Sequence, residues 1–368
     1  MKIGIVGLPN VGKSTLFNAL TKSYAADAGN FPFCTIEPNV GIVDVKDPRL
    51  DTLAKISNTQ KIVYATTSFV DIAGLVKGAS AGEGLGNKFL SHVREVDVIV
   101  QVLRYFKNSD VSHVEGSVDP LRDCEIINME LIIADLEQVE KNLPGASKKA
   151  SVTKEKTAVA TASALAKIKK ALDAGILIYD IRDQLTGDEH IAIKNYNFLT
   201  NKSFIYAINV GQEDLGSAQT IKKEFEQKLQ RPVAIVCAAL ESEMMSFAQD
   251  EREEFLEMLI ENTNIGDVPT LDDLIGLAFS ELGLMYYFTT GEKESRAWTT
   301  PIGSTAPQAA AAIHTDFEKG FIKAEVVAYE DFVQAGSWSK AKEKGLLKLQ
   351  GKEYIVQDGD VIVFKFNV

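Results

Sequence analysis

Cysteine is scarce in this chain: Cys34, Cys124 and Cys237 are the only three in 368 residues, widely spaced and odd in number. That excludes a disulfide framework and offers no zinc ligand set, so inert thiols in a reduced, cytoplasmic compartment are expected. No apolar run approaches the ~20 residues of a membrane-spanning helix, and no membrane partner is expected. No signal-peptide pattern precedes the first strand-like run, Lys2 to Val6. Net positive charge is lacking too. The formal charge is −12, which argues against general affinity for nucleic acid. There is no internal repeat.

The basic residues that are present are concentrated. Residues 141–170 hold eight lysines (Lys141, Lys148, Lys149, Lys154, Lys156, Lys167, Lys169 and Lys170) and a single acid, Glu155. Residues 338–352 hold five lysines and one glutamate. Two basic islands on an acidic body read as local contact patches for RNA, and binding through them should weaken with salt. The bland alternative is a pair of solvated faces.

The most specific signal lies at the start. The strand-like Lys2 to Val6 runs into Gly7-Leu8-Pro9-Asn10-Val11-Gly12-Lys13-Ser14-Thr15, and helical spacing follows at Leu16, Phe17, Ala19 and Leu20. Strand, Gly-x-x-x-x-Gly-Lys-Ser and helix in that order form a Walker A loop. Its backbone N–H groups, from Asn10 to Thr15, curl around a di- or triphosphate, aided by the helix N-terminus. Lys13 is expected to reach the β- and γ-phosphates, and Ser14 to ligate magnesium. Asp71-Ile72-Ala73-Gly74 ends a second apolar strand and supplies the expected magnesium-side carboxylate, Asp71, with Gly74 N–H toward the γ-phosphate. Thr35 lies in the loop after the first helix and is expected to close over magnesium.

Two features of ordinary GTPases are missing. A glutamine that orients water follows D-x-x-G in Ras-like proteins, whereas here the residue is Leu75. Slow intrinsic hydrolysis is expected, with Asn10, His92 and His113 as nearby polar groups. Guanine is normally read by Asn-Lys-x-Asp after a strand. Here Asn209-Val210-Gly211-Gln212 keeps the asparagine but has no carboxylate for guanine N1 and N2, so adenine becomes acceptable.

The order of parts predicts an α/β fold interrupted by helices. Strands are expected at Lys2–Val6, Asn39–Val45, Tyr64–Asp71, Val96–Leu103, Phe204–Val210 and Pro232–Ala238. Between them, Ile126–Leu143 and Thr153–Ala174 read as helices separated by a break at Pro144-Gly145, a plausible hairpin. A further helix is expected at Gly187–Phe198, and another at Ala218–Leu229. Asp250–Leu282 reads as mainly helical, with a start at Pro269 to Asp273. After Leu284 come short β runs at Leu284–Thr289, Arg296–Pro301, Phe321–Tyr329, Lys352–Val356 and Val361–Asn367, with a small helix at Ala306–Ile313. These describe a compact α+β domain.

Taken together, these motifs resemble the YchF family of Obg-like ATPases, within the translation-factor-related class of P-loop GTPases. The resemblance spans essentially the whole chain. It rests on Gly7–Thr15, Asn30–Asn39, Asp71–Ala79, Gly82–Asn87, Arg296-Ala297-Trp298, Thr305–Ala310 and Ile313–Phe321. It implies an OBG-type P-loop G domain (1–127 and 200–280), an inserted α-helical coiled-coil hairpin (128–199) and a C-terminal β-grasp module of the TGS type (281–368). It further implies magnesium as cofactor, ATP preferred over GTP, and Asn209 and Val210 flanking the adenine. Under the same resemblance His113 becomes, beside Lys13, the candidate for supporting hydrolysis. The implied partner is the ribosome, through rRNA or tRNA contacts of the hairpin and the TGS-like domain, with the chain acting as a monomeric, cytoplasmic ATPase that regulates translation or stress response. Two alternatives stand beside this: a ribosome- or RNA-binding module in which nucleotide only sets conformation, and an ordinary GTPase.

Overall fold

The computed structural model describes residues 1–23, 39–73, 85–108, 113–114, 116–247, 249–263 and 268–367. Its strands, in chain order, are β1 (Lys2–Val6), β2 (Val40–Val45), β3 (Lys61–Val63), β4 (Ala65–Asp71), β5 (Val98–Arg104), β6 (Ser203–Asn209), β7 (Val233–Val236), β8 (Leu284–Thr289), β9 (Glu294–Pro301), β10 (Phe321–Val327), β11 (Lys348–Gln350) and β12 (Asp360–Phe366). Among the described residues the chain divides into two compact units: 1–23, 39–41 and those of 68–274 form one, and 42–67 and 275–367 the other. The placement of 42–67 with the C-terminal residues is not visible in the order of motifs.

One six-stranded sheet has the order β2-β4-β1-β5-β6-β7, of which β1, β5, β6 and β7 lie wholly in the first unit. β1 pairs in parallel with β4 on one side and with β5 on the other, and β5, β6 and β7 continue in parallel. β5 is buried at every position, as expected of an apolar strand covered on both faces. The strand order reverses at β1, and ligands of open α/β sheets bind beyond the carboxyl ends of the strands at such a point.

The helical region differs from expectation in one respect. Pro144-Gly145 does not break the helix, which runs unbroken from Pro120 to Thr153 with Pro144 inside it. Proline there frees the carbonyl four residues back, at Glu140. Both residues are exposed. The chain instead turns at Lys154, in the left-handed region with φ 52°, and Lys156–Asp173 packs back along the first helix. At the far end Asp135, fully buried, accepts from the Leu199 and Thr200 amides at 3.0 and 2.8 Å and from the Thr200 hydroxyl at 2.7 Å. Those bonds fix where the helical excursion rejoins the sheet. The expected helix at 187–198 is an α-helix over Gly187–Ile193, begun by a capping box of Thr186 and Glu189, followed by a 3₁₀ turn.

In the second unit a six-stranded mixed sheet has the order β11-β10-β12-β8-β9-β3. The helix Ala306–Ala311 lies on it through alanines. Ala306, Ala309 and Ala310 pack with Tyr287, Ala324 and Ile362, and the Tyr287 hydroxyl donates to the Ala309 carbonyl at 2.8 Å. Small side chains permit that close approach. Lys352–Val356, expected to be a strand, is not one. Its backbone bonds to the turn before the helix, Ala306 N to Tyr354 O and Val356 N to Ser304 O, and the strand pairing with β10 falls to Lys348–Gln350. β10 stops at Val327 because Tyr329 opens a new helix, Tyr329–Ala335.

Candidate nucleotide-binding site

The phosphate loop leaves the end of β1 at the reversal of strand order, and its conformation is set by two residues with positive φ: Asn10 (65°) and Gly12 (93°). The helix Lys13–Ser23 starts at the lysine, with Leu16 N bonded back to Gly12 O. Gly7 has no room for a side chain, since a Cβ there would meet Val11 at 2.8 Å and the Val102 carbonyl at 3.1 Å. Val11 is fully buried, whereas Ser14 is exposed.

Lys13 is nearly buried and its ammonium forms an ion pair with the Asp71 carboxylate at the end of β4. The two charged groups expected to serve phosphate and metal are thus held side by side. Asp71 is itself placed by its backbone, which donates to Asn39 O at 2.9 Å. Ser14, Thr15 and Asp71 present only hydroxyl and carboxylate oxygens.

Asn209, at the end of β6, is 3% exposed, and its side chain acts as a bracket. Nδ2 donates to the Val11 carbonyl at 2.9 Å, and Oδ1 accepts from the Ala238 amide at 3.0 Å. One residue therefore ties the phosphate loop to the start of the helix Ala238–Met244. Val210 follows, 2% exposed, its amide bonded to Val236 O at 2.9 Å. These residues line a cavity of about 360 Å³ together with Gly12, Thr15, Phe106 and Gln212. Gln212 is turned to Glu243 across the rim, Nε2 to Oε2 at 3.1 Å.

The chain shares its whole length with proteins already described. A family model described as "50S ribosome-binding GTPase" matches residues 2–134, and one named YchF-GTPase_C, described as a protein of unknown function, matches residues 284–367. "Ribosome-binding ATPase YchF" of Pasteurella multocida is 50% identical over 100% of this chain and 99% of its own. The Bacillus subtilis protein of that name is 48% identical over 99% of each. A solved structure, the Schizosaccharomyces pombe YchF GTPase, superposes with a TM-score of 0.86 at 38% identity, covering 99% of this chain and 97% of that one. This chain belongs to the YchF family.

Within this YchF-family chain, Thr35, Gly74 and Leu75 lie outside the described residues, as does Cys34. His113 is described. Its Nε2 bonds Asp123 Oδ2 at 2.7 Å, with both side chains buried, and Arg122 Nη2 reaches the other oxygen at 3.0 Å. The two described cysteines are buried and unbridged, and burial pushes the Cys124 thiol up to about 11, as suits an inert group.

Sequence reasoning missed Arg104. It ends β5, is 1% exposed, and spreads its guanidinium over three carbonyls: Phe106 at 3.3 Å, Asn10 at 3.4 Å and Asn108 at 3.2 Å. Burial lowers its pKa and the Asp123 carboxylate opposes that shift. Arg104 connects the phosphate loop to the segment leading toward His113. The signal was available: it is the one charge on a strand whose other members, Gln101 apart, are apolar.

Proposed function

We propose that this chain is a magnesium-dependent ATP-binding and ATP-hydrolysing switch that prefers ATP to GTP, turns over slowly and works at the ribosome. The observation that carries the base preference is Gln212 at the position where a guanine reader needs a carboxylate, its amide turned to Glu243 rather than replaced by an acid. The Asn209 amide is used on both sides by Val11 and Ala238, so it shapes the site and leaves the base to Val210 and the rim. The ATPase and ribosome readings are supported by the names of the relatives above.

The hard oxygen donors at the loop suit magnesium, with Ser14 and Asp71 holding it and Thr35 joining them. Among the described residues no group of three or more His, Cys, Asp or Glu is arranged to hold a metal, in keeping with an ion held by few protein oxygens and by substrate phosphates. When bound, magnesium would neutralise charge on the β- and γ-phosphates. Lys13 exchanges its Asp71 partner for phosphate oxygens, and the backbone N–H groups from Asn10 to Thr15, with Gly74, hold the remaining charge. Val210 borders the adenine beside Asn209. His113 supports hydrolysis only by leaving its bond to Asp123. Residues 281–368, read as a TGS-type β-grasp domain, and the lysines of the helical excursion provide the ribosomal contacts, through which the cycle regulates translation or stress response.

The test is calorimetric titration with ATP and with GTP, each with magnesium. ATP binding tighter by about tenfold or more, ~1.4 kcal/mol, supports the reading. Tighter GTP binding overturns it and returns the chain to the ordinary GTPases.

A further inference from the structure

The rim of the cavity carries a polar pair that the phosphate chemistry does not use. Gln212 sits just after the base loop, and Glu243 sits on the helix Ala238–Met244 whose first amide is held by Asn209. Both line the cavity, both are exposed, and Gln212 Nε2 donates to Glu243 Oε2 at 3.1 Å. The carboxylate accepts only, so it fixes the amide with its NH₂ side facing Glu243. The pair therefore presents an N–H donor beside a carboxylate oxygen.

That arrangement discriminates between purines. Adenine offers an acceptor, N1, beside a donor, the exocyclic N6 amine. Guanine offers O6, an acceptor, at the position of that amine, and two adjacent donors at N1 and N2. Two neighbouring acceptors read guanine, whereas a donor beside an acceptor matches adenine. A carboxylate facing guanine O6 would be left unpaired against a second acceptor, which is how a polar site rejects the wrong ligand.

We propose that Glu243 and Gln212 together determine base specificity, the Glu243 carboxylate accepting from the N6 amine of adenine and the Gln212 amide donating to N1. This rests on the reading of the site as an ATP site and assigns the residues that set the preference. Asn209 acts through Glu243: by bonding Ala238 it fixes the helix that carries Glu243 relative to the phosphate loop.

The experiment is calorimetry of the full chain with magnesium and, in turn, ATP, GTP and purine riboside triphosphate, which lacks the N6 amine. Wild type, Glu243→Gln and Gln212→Asp are compared, with thermal melts as a check of folding. Wild type should bind ATP about tenfold tighter than the amine-less analogue, the scale of one hydrogen bond to a charged group. Glu243→Gln should lose about tenfold in ATP affinity while the analogue is unaffected. Gln212→Asp should narrow or invert the ATP-to-GTP ratio. Tight ATP binding in wild type with an unchanged ratio in both variants overturns the assignment and leaves the ATP reading intact. A Glu243→Gln variant that loses GTP and keeps ATP overturns it too, by making Glu243 a guanine reader. Absence of ATP binding by wild type overturns both.

Discussion

Gly12 lies so close under the side-chain amide of Asn209 that a Cβ on the glycine would collide with Nδ2. The phosphate loop and the base loop are therefore packed as one body, although 197 positions separate the two residues. Gly12 also holds φ at 93°, which favours glycine over any L side chain. Gly12→Ala meets both obstacles. It should displace Asn209 from Val11, lower stability by about 2 kcal/mol and weaken nucleotide binding by about tenfold or more. Urea unfolding and nucleotide calorimetry check the two effects. An alanine variant that binds normally would show that the bracket is not needed.

The Lys13–Asp71 ion pair gives the second prediction. Each neutralises the other in a site with little solvent. Lys13→Ala removes the group that reaches the phosphates and should reduce turnover by about a hundredfold or more. Asp71→Asn keeps the shape and a hydrogen bond to Lys13 but loses the charge proposed to hold a divalent cation. Its signature should be a raised magnesium requirement, read from turnover against magnesium concentration. A variant with the wild-type magnesium curve would remove Asp71 from the metal site.

Much of this was legible before the structure. Lys2–Val6 and Leu284–Thr289 have their expected limits, with Gly7 directly after the first and Gly283 directly before the second. Apolar runs such as the expected Val96–Leu103 pointed to the α/β sheet, in which that strand runs from Val98 to Arg104. Two kinds of information were not local. Lys61–Val63 joins the second sheet through β9, a partner more than 200 residues away, and nothing near it in sequence announces that. Arg104 was marked in sequence only as the lone charge on an apolar strand, and its partners Asn10, Phe106 and Asn108 come together around it only in the fold. Pro144 misled for the opposite reason. Its local preference is real, but the helix pays that cost within a long packed pair.

Pro144 therefore supports a direct test. Proline inside a helix costs about 3 kcal/mol relative to alanine, and here both the proline and Glu140, whose carbonyl it frees, are exposed residues. Pro144→Ala should strengthen the hairpin tip, and amide exchange between residues 140 and 150 should slow. Lys154, at φ 52°, is the true turn. Lys154→Gly should stabilise by about 0.5–1 kcal/mol by removing left-handed strain. If Pro144→Ala shifted the turn instead, the helix would owe its extent to the proline.

Glu189 makes stability depend on pH. Burial works against its ionised form, yet the Lys167 ammonium, the Thr186 amide and the Ser163 hydroxyl together bring its pKa down to about 2. The bonds are 2.8 Å to Lys167, 2.7 Å to Thr186 N and 2.7 Å to Ser163. A carboxylate whose folded pKa is depressed contributes fully above its unfolded value and loses that contribution as pH falls toward the folded one. Glu189→Gln should thus cost about 2 kcal/mol at pH 7. The gap between the variant and wild type should close between about pH 5 and pH 2. Urea midpoints of both proteins across that range measure it, and a gap constant with pH would mean that packing, not charge, holds the cap.

The lysines around the hairpin turn give the last prediction. Lys148, Lys149, Lys154 and Lys156 are exposed, and among the described residues Lys156 is the one of the four in an ion pair, with Asp188 at 2.9 Å. Four cations at one end of a helical pair, on a chain with net charge −12, concentrate the attraction for phosphate at that end. Replacing all four with glutamate should weaken binding to ribosomes or RNA and flatten its dependence on salt, each lost phosphate contact removing close to one unit of slope. ATP affinity should stay as it was, because none of the four lines the nucleotide cavity. Binding that keeps its strength and its salt slope after the reversal would show that this basic island is a solvated face.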